Sequence, residues 1–200
     1  MMTLLHDARK TLRITAWLLF AWATCVAWAQ EAPRVKLTTT AGDIVLEVYP
    51  DKAPKTAENF LQYVRDKHYD GTIFHRVIGN FMIQGGGYDQ RYMERATRAP
   101  VVHEGREALA KGGPRNTVGT IAMARTNAPN SATSQFFINV ADNGFLDPSP
   151  QQPGYTVFGR VVSGMEVVQR IKSAPTSSGG PFPTDVPRTA IVIQSATLEK

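Results

Sequence analysis

The sequence predicts a mainly β protein, an antiparallel barrel or sandwich, on three observations. Eight short runs rich in β-branched, aromatic and other apolar residues are separated by turns of Gly, Asn, Asp and Pro. Only two stretches carry a helical period. No repeat, low-complexity stretch or linker marks a second domain, and residues 30–200 suffice for one core.

Residues 1–29 have the form of a secretory signal peptide. Arg9, Lys10 and Arg13 outweigh Asp7, residues 14–26 are almost wholly apolar, and Ala27-Trp28-Ala29 offers a small-x-small cleavage site before Gln30. The apolar run is shorter than the ~18 residues expected of a membrane span. Cys25, the only cysteine, lies in this leader. Trp22 and Thr24 before it do not suit a lipidation signal. The remainder is therefore a cysteine-free domain, residues 30–200, compatible with an oxidising compartment but without disulfides. A thiol nucleophile and a cysteine-type zinc site are excluded.

Residues 35–39 and 44–49 read as a hairpin around Ala41-Gly42-Asp43. Asp51 is placed to cap a helix that tolerates Pro54 in its first turn. Ala53, Ala57, Phe60, Leu61 and Val64 fall on one face of that helix. Strands are expected at 72–78, 81–84, 120–124, 136–140, 155–162 and 190–196. Ser163-Gly164-Met165-Glu166 has capping-box form and opens a second helix to about Lys172, before Pro175. Residues 87–119, 146–154 and 174–187 are rich in glycine, proline and charge and read as surface loops.

Functional residues concentrate in two blocks. Phe74-His75-Arg76 is followed by Phe81-Met82-Ile83-Gln84-Gly85-Gly86, and Ser134-Gln135-Phe136-Phe137 adds a second glutamine and two aromatics. An arginine and amides among apolar side chains, without a nucleophile or metal ligands, suit a reaction that breaks no covalent bond. His75 beside Arg76 invites an acid–base role, but the body histidines show no ligand spacing. Gly85-Gly86-Gly87 lacks the spacing of a phosphate loop and reads as a tight turn or close backbone approach. On a strand Phe136 and Phe137 point to opposite faces, which assigns Phe136 to the core.

These blocks, with Ile121-Ala122-Met123-Ala124 and Val157-Phe158-Gly159-Arg160-Val161 in the same order, resemble the cyclophilin family of peptidyl-prolyl cis-trans isomerases. With the leader, the chain is most similar to the periplasmic cyclophilins of Gram-negative bacteria. The resemblance implies a closed eight-stranded antiparallel β-barrel capped by two α-helices. It implies catalytic roles for Arg76, Gln84 and Phe81. Substrate contacts would come from Met82, Ala124, Arg125, Gln135, Phe137, Phe145, Leu146 and Tyr155. Arg125, Phe145 and Tyr155 depart from the asparagine, tryptophan and histidine of the best-known eukaryotic members. Phe145 in place of tryptophan implies weak cyclosporin A binding.

The expected function is acceleration of X-Pro bond rotation in folding exported proteins, in the periplasm and without cofactor or metal. The alternative is a holdase or binding module that grips proline-containing segments with little turnover. Three bases and one acid of the leader account for much of the +5 net charge, and no basic run remains in the body, so nucleic acid is not an expected partner. A monomer without stable membrane association after signal cleavage completes the expectation.

Overall fold

The computed structural model describes residues 31–199; the leader assigned to residues 1–29, with Cys25, lies outside them. Strand β1 (Arg34–Thr39) turns into β2 (Gly42–Val48) and is followed by helix α1 (Pro54–Arg65). Next come β3 (Thr72–Ile78), β4 (Met82–Asp89), helix α2 (Gly105–Ala110), β5 (Thr120–Met123) and β6 (Phe136–Asn139). Then β7 (Val157–Ser163), α3 (Met165–Lys172), β8 (Thr176–Gly179), β9 (Phe182–Pro187) and β10 (Val192–Leu198) complete the order. Eight strands close a barrel in the order β1-β10-β3-β4-β6-β5-β7-β2, each pair antiparallel.

Alternation fills the barrel. Val35, Leu37 and Thr39 of β1 face inward, as do Ile44, Leu46 and Val48 of β2. Helix α1 lays Ala57, Phe60, Leu61 and Val64 on this interior, with Ala53 buried at its N-cap. The Phe60 ring meets Tyr69, Phe136 and Phe158 at centroid distances of 5.3, 5.8 and 5.0 Å. Val167, Val168 and Ile171 of α3 join the same cluster.

Four expectations are corrected. Asp51 does not cap α1; its carboxylate pairs with Lys52 at 3.0 Å. The cap comes from Glu104, whose carboxylate accepts the backbone N–H groups of Lys55 (3.1 Å) and Thr56 (2.7 Å) and the Thr56 hydroxyl (2.7 Å). A buried carboxylate there satisfies amides left open by the first turn and complements the helix dipole. The capping box at 163–166 does not form, because Ser163 ends β7 and Gly164 is the N-cap in the left-handed region at φ 86°. A Cβ at Gly164 would run into the Asp43 carbonyl, so close approach of β2 dictates the glycine. The stretch 174–187 is not a plain loop: β8 and β9 form a two-stranded ribbon outside the barrel. A third helix, α2, rises within 87–119.

Candidate active site

Beside the barrel interior, a second apolar cluster forms from Met82, Ala122, Phe137, Leu146 and Val157, with Ile78, Phe81, Ala124 and Tyr155 packed against it. It lines an open pocket of about 370 Å³ bounded by Arg76, Phe81, Met82, Gln84, Ala124, Arg125, Phe137, Leu146 and Tyr155. Nine of the eleven residues expected from sequence therefore share one concavity. The other two sit at its edge.

Arg76 reaches the pocket because β3 is bulged. Phe74 opposes Gly85 and Arg76 opposes Gln84, so two steps on β3 match one on β4, with His75 the extra residue. A regular strand would place Phe74 and Arg76 on one face. Here Phe74 and Val77 join the barrel core while Arg76 lines the pocket and Ile78 packs on the pocket cluster. The Arg76 guanidinium has no hydrogen bond or ion pair with any described residue, which leaves its donors for a ligand.

Met82 and Gln84 share the pocket face of β4 while Ile83 between them faces the core. Gln84 Nε2 donates to Gln135 Oε1 at 2.9 Å, which brings Gln135 to the rim although it does not line the cavity. Gly87 makes room for this pair, since a Cβ there would stand 2.5 Å from Gln135 Cγ. The triple glycine lies within β4 and makes no turn; it serves close approach, with Gly86 at φ 85° and a Cβ there 2.8 Å from the Tyr69 ring. Phe145 is likewise outside the cavity. Its ring is 65% exposed and stacks on Phe81 at 5.6 Å, extending that wall outward.

Arg125 turns its guanidinium onto the protein's own backbone. Nε and Nη2 donate to the Gly154 carbonyl (2.9 and 2.7 Å), and Nη1 donates to Thr126 (2.8 Å). It lies over the Tyr155 ring at 4.5 Å, and that ring meets Phe137 edge-on at 5.5 Å. Arg125 thus braces the wall behind Phe137.

Sequence reasoning missed the network that seats the opposite wall. Asn143 Nδ2 donates to the Phe81 carbonyl (2.8 Å) and Asn139 Oδ1 (2.7 Å). Asn139 Nδ2 donates to Thr120 Oγ1 (2.9 Å) and Asn116 Oδ1 (3.3 Å), and Asn116 donates to Asp147. The asparagines, Thr120 and Asp147 are buried, and the Asn143 and Asp147 bonds tie the turn carrying Phe145 and Leu146 to Phe81, β6 and Asn116. Isolated asparagines in loops and at the end of β6 carry no signal of their own in the sequence.

His75 does not enter the pocket. Burial first, and the Arg76 charge second, pull its pKa down to about 4, against a smaller opposing contribution from the Ile73 backbone. It is neutral at physiological pH. Such an arrangement offers an apolar cradle for a small ring, an uncommitted cation at its lip and two amides along an adjoining groove.

Comparison with known proteins agrees with this geometry. Residues 34–198 match the family described as cyclophilin type peptidyl-prolyl cis-trans isomerase/CLD. The peptidyl-prolyl cis-trans isomerase of Acinetobacter baylyi is 51% identical over 165 residues, covering 82% of this chain and 85% of that one. Peptidyl-prolyl cis-trans isomerase B of Escherichia coli is 49% identical over 169 residues, covering 83% and 99%. Among solved structures, a cyclophilin-type isomerase of Cryptosporidium parvum crystallised in the presence of the dipeptide Ala-Pro superimposes with a TM-score of 0.66 at 25% identity, covering 84% and 99%.

Proposed function

The chain belongs to the cyclophilin-type peptidyl-prolyl cis-trans isomerases, and from that premise we propose that it is an exported enzyme that assists folding of other exported proteins, with Arg76 as its catalytic donor. The observation that carries the catalytic part is the uncommitted Arg76 guanidinium at the lip of a pocket walled by Phe81, Met82, Phe137 and Leu146. Rotation about X-Pro is opposed by C–N double-bond character, a barrier of ~18–20 kcal/mol. Twisting localises a lone pair on the proline nitrogen. A guanidinium donating to that nitrogen stabilises the twisted state and not the planar ones, so it lowers the barrier. Met82, Phe137, Leu146 and Phe81 would hold the ring and exclude water, which disfavours the more polar planar amide. Gln84 and Gln135 would hold the flanking carbonyl and peptide, while Ala124 and the Arg125–Tyr155 wall border the groove.

The leader and the absence of cysteine from residues 30–200 support export to the periplasm and removal of residues 1–29. In this reading the mature chain works as a monomer, without cofactor, nucleic acid or lasting membrane attachment. Cyclosporin A would bind weakly, because Phe145 offers a smaller wall than tryptophan. The export half is tested by expressing the full chain in a Gram-negative host and sequencing the N-terminus of the protein released by osmotic shock. A chain beginning at Gln30 is the expected result. Full-length protein retained in the cytoplasm would overturn export and leave the isomerase untouched.

A further inference from the structure

The ribbon β8–β9 has no part in closing the barrel, yet it lies against β3 beside the bulge that aims Arg76. We propose that this ribbon is a positioning element for Arg76, acting through Phe182 on His75. The proposal deepens the catalytic reading and rests on Arg76 being the donor.

Arg76 makes no polar contact with the described residues, so its aim depends on the backbone beneath it. That backbone is the bulge, whose extra residue is His75. The imidazole is 2% exposed and is held by two rings. Tyr88 of β4 meets it at 4.8 Å, and Phe182 of β9 lies across it at 5.2 Å and 30°. Phe182 and Tyr88 meet edge-on at 5.1 Å, which closes a three-ring cluster. Two of its members belong to the barrel. Only Phe182 arrives from outside.

The ribbon is seated rather than loosely draped. Gly179 opposes Phe182 across its turn, and Val186 is buried at its base. The turn glycines admit Tyr92: a Cβ on Gly179 would stand 2.7 Å from Tyr92 Oη, and one on Gly180 would run into the Tyr92 ring. The enclosed His75 Nδ1 has no hydrogen-bond partner among the described residues. An unpartnered buried nitrogen costs stability. Keeping this imidazole dry also keeps it uncharged, so no second cation stands beside the Arg76 guanidinium.

Steady-state isomerisation of a proline-containing peptide should be compared for Phe182→Ala, Phe182→Tyr, Arg76→Ala and the Phe182→Ala/Arg76→Ala double variant. Phe182→Ala should lower kcat roughly tenfold with KM little changed, as expected when a catalytic group is misplaced but the pocket is intact. Phe182→Tyr, which keeps the ring, should retain parental kcat. The double variant should be no slower than Arg76→Ala alone, and the uncovered His75 should titrate nearer the ordinary ~6.5. Should the alanine variant unfold, Phe182→Leu takes its place. Parental kcat in a folded Phe182 variant, or effects that add fully to Arg76→Ala, would overturn the positioning role and leave Arg76 as the donor. Unchanged turnover in Arg76→Ala would instead overturn the catalytic reading itself.

Discussion

Phe136 and Phe137 are neighbours on β6 and are almost equally buried, at 0% and 4% exposure. Phe136 points into the barrel, where Phe60, Tyr69 and Phe74 meet it edge-on at 5.8, 5.4 and 6.2 Å. Phe137 points outward to Met82, Leu146 and Tyr155 and lines an open pocket. The same strand thus supplies a core that is closed on itself and a wall that is complete only with a ligand. Burial alone does not separate structural from functional aromatics in this fold. The distinguishing feature is whether the neighbours close around the ring or leave a concavity with an uncommitted polar group at its lip.

The largest test of this contrast is a pair of substitutions. Phe136→Ala should cost about 3–5 kcal/mol in urea unfolding, because its site is packed on every side. Phe137→Ala should cost clearly less stability and instead raise KM for a prolyl peptide, since it removes one wall of a cavity that is already open. Equal stability losses, or a KM effect from Phe136 in a folded variant, would break the comparison.

The buried imidazole sharpens it next. His75 has a folded pKa of about 4, below the unfolded value of 6.5. Between these values the unfolded chain binds the proton and the folded chain does not. Stability is therefore full above about pH 6.5 and declines as pH falls toward 4, by up to about 3 kcal/mol from this group. Burial shifts His68 and His103 in the same direction, so they add to the decline. Urea midpoints at pH 7 and pH 4.5 read this directly, and a protein equally stable at both would contradict it.

The smallest expected effect concerns the cap of α1. Glu104→Gln keeps the shape but removes the charge at the start of α1, and should cost about 1–2 kcal/mol while leaving isomerisation unchanged. Loss of turnover in that folded variant would contradict a purely structural role for this carboxylate.

Elements whose pattern is local were legible in the sequence. The run 72–78 coincides with β3, α1 buries the expected face, and Phe136 faces the core as alternation requires. Nine of the expected site residues converge because the strands that carry the motifs, β3, β4, β6, β5 and β7, lie side by side in the barrel. The rest depends on partners distant in the chain. The bulge at His75 is defined only against β4, the α1 cap is supplied by Glu104 from 48 or 49 residues away, and the ribbon at 176–187 is composed like a loop. Its strands gain their support from Tyr92, Tyr88 and His75, which no local window contains.

The most direct measurement is isomerisation and peptide binding by the chain from Gln30, compared with Arg76→Ala in the same assays. If Arg76 contributes about 3–4 kcal/mol in the transition state alone, turnover should fall by roughly two to three powers of ten. Peptide affinity and thermal stability should stay close to those of the parent, because the guanidinium holds nothing else in the fold. Undiminished turnover would remove Arg76 from the mechanism. Parallel loss of binding and rate would make it a ligand contact and not the group that stabilises the twisted bond.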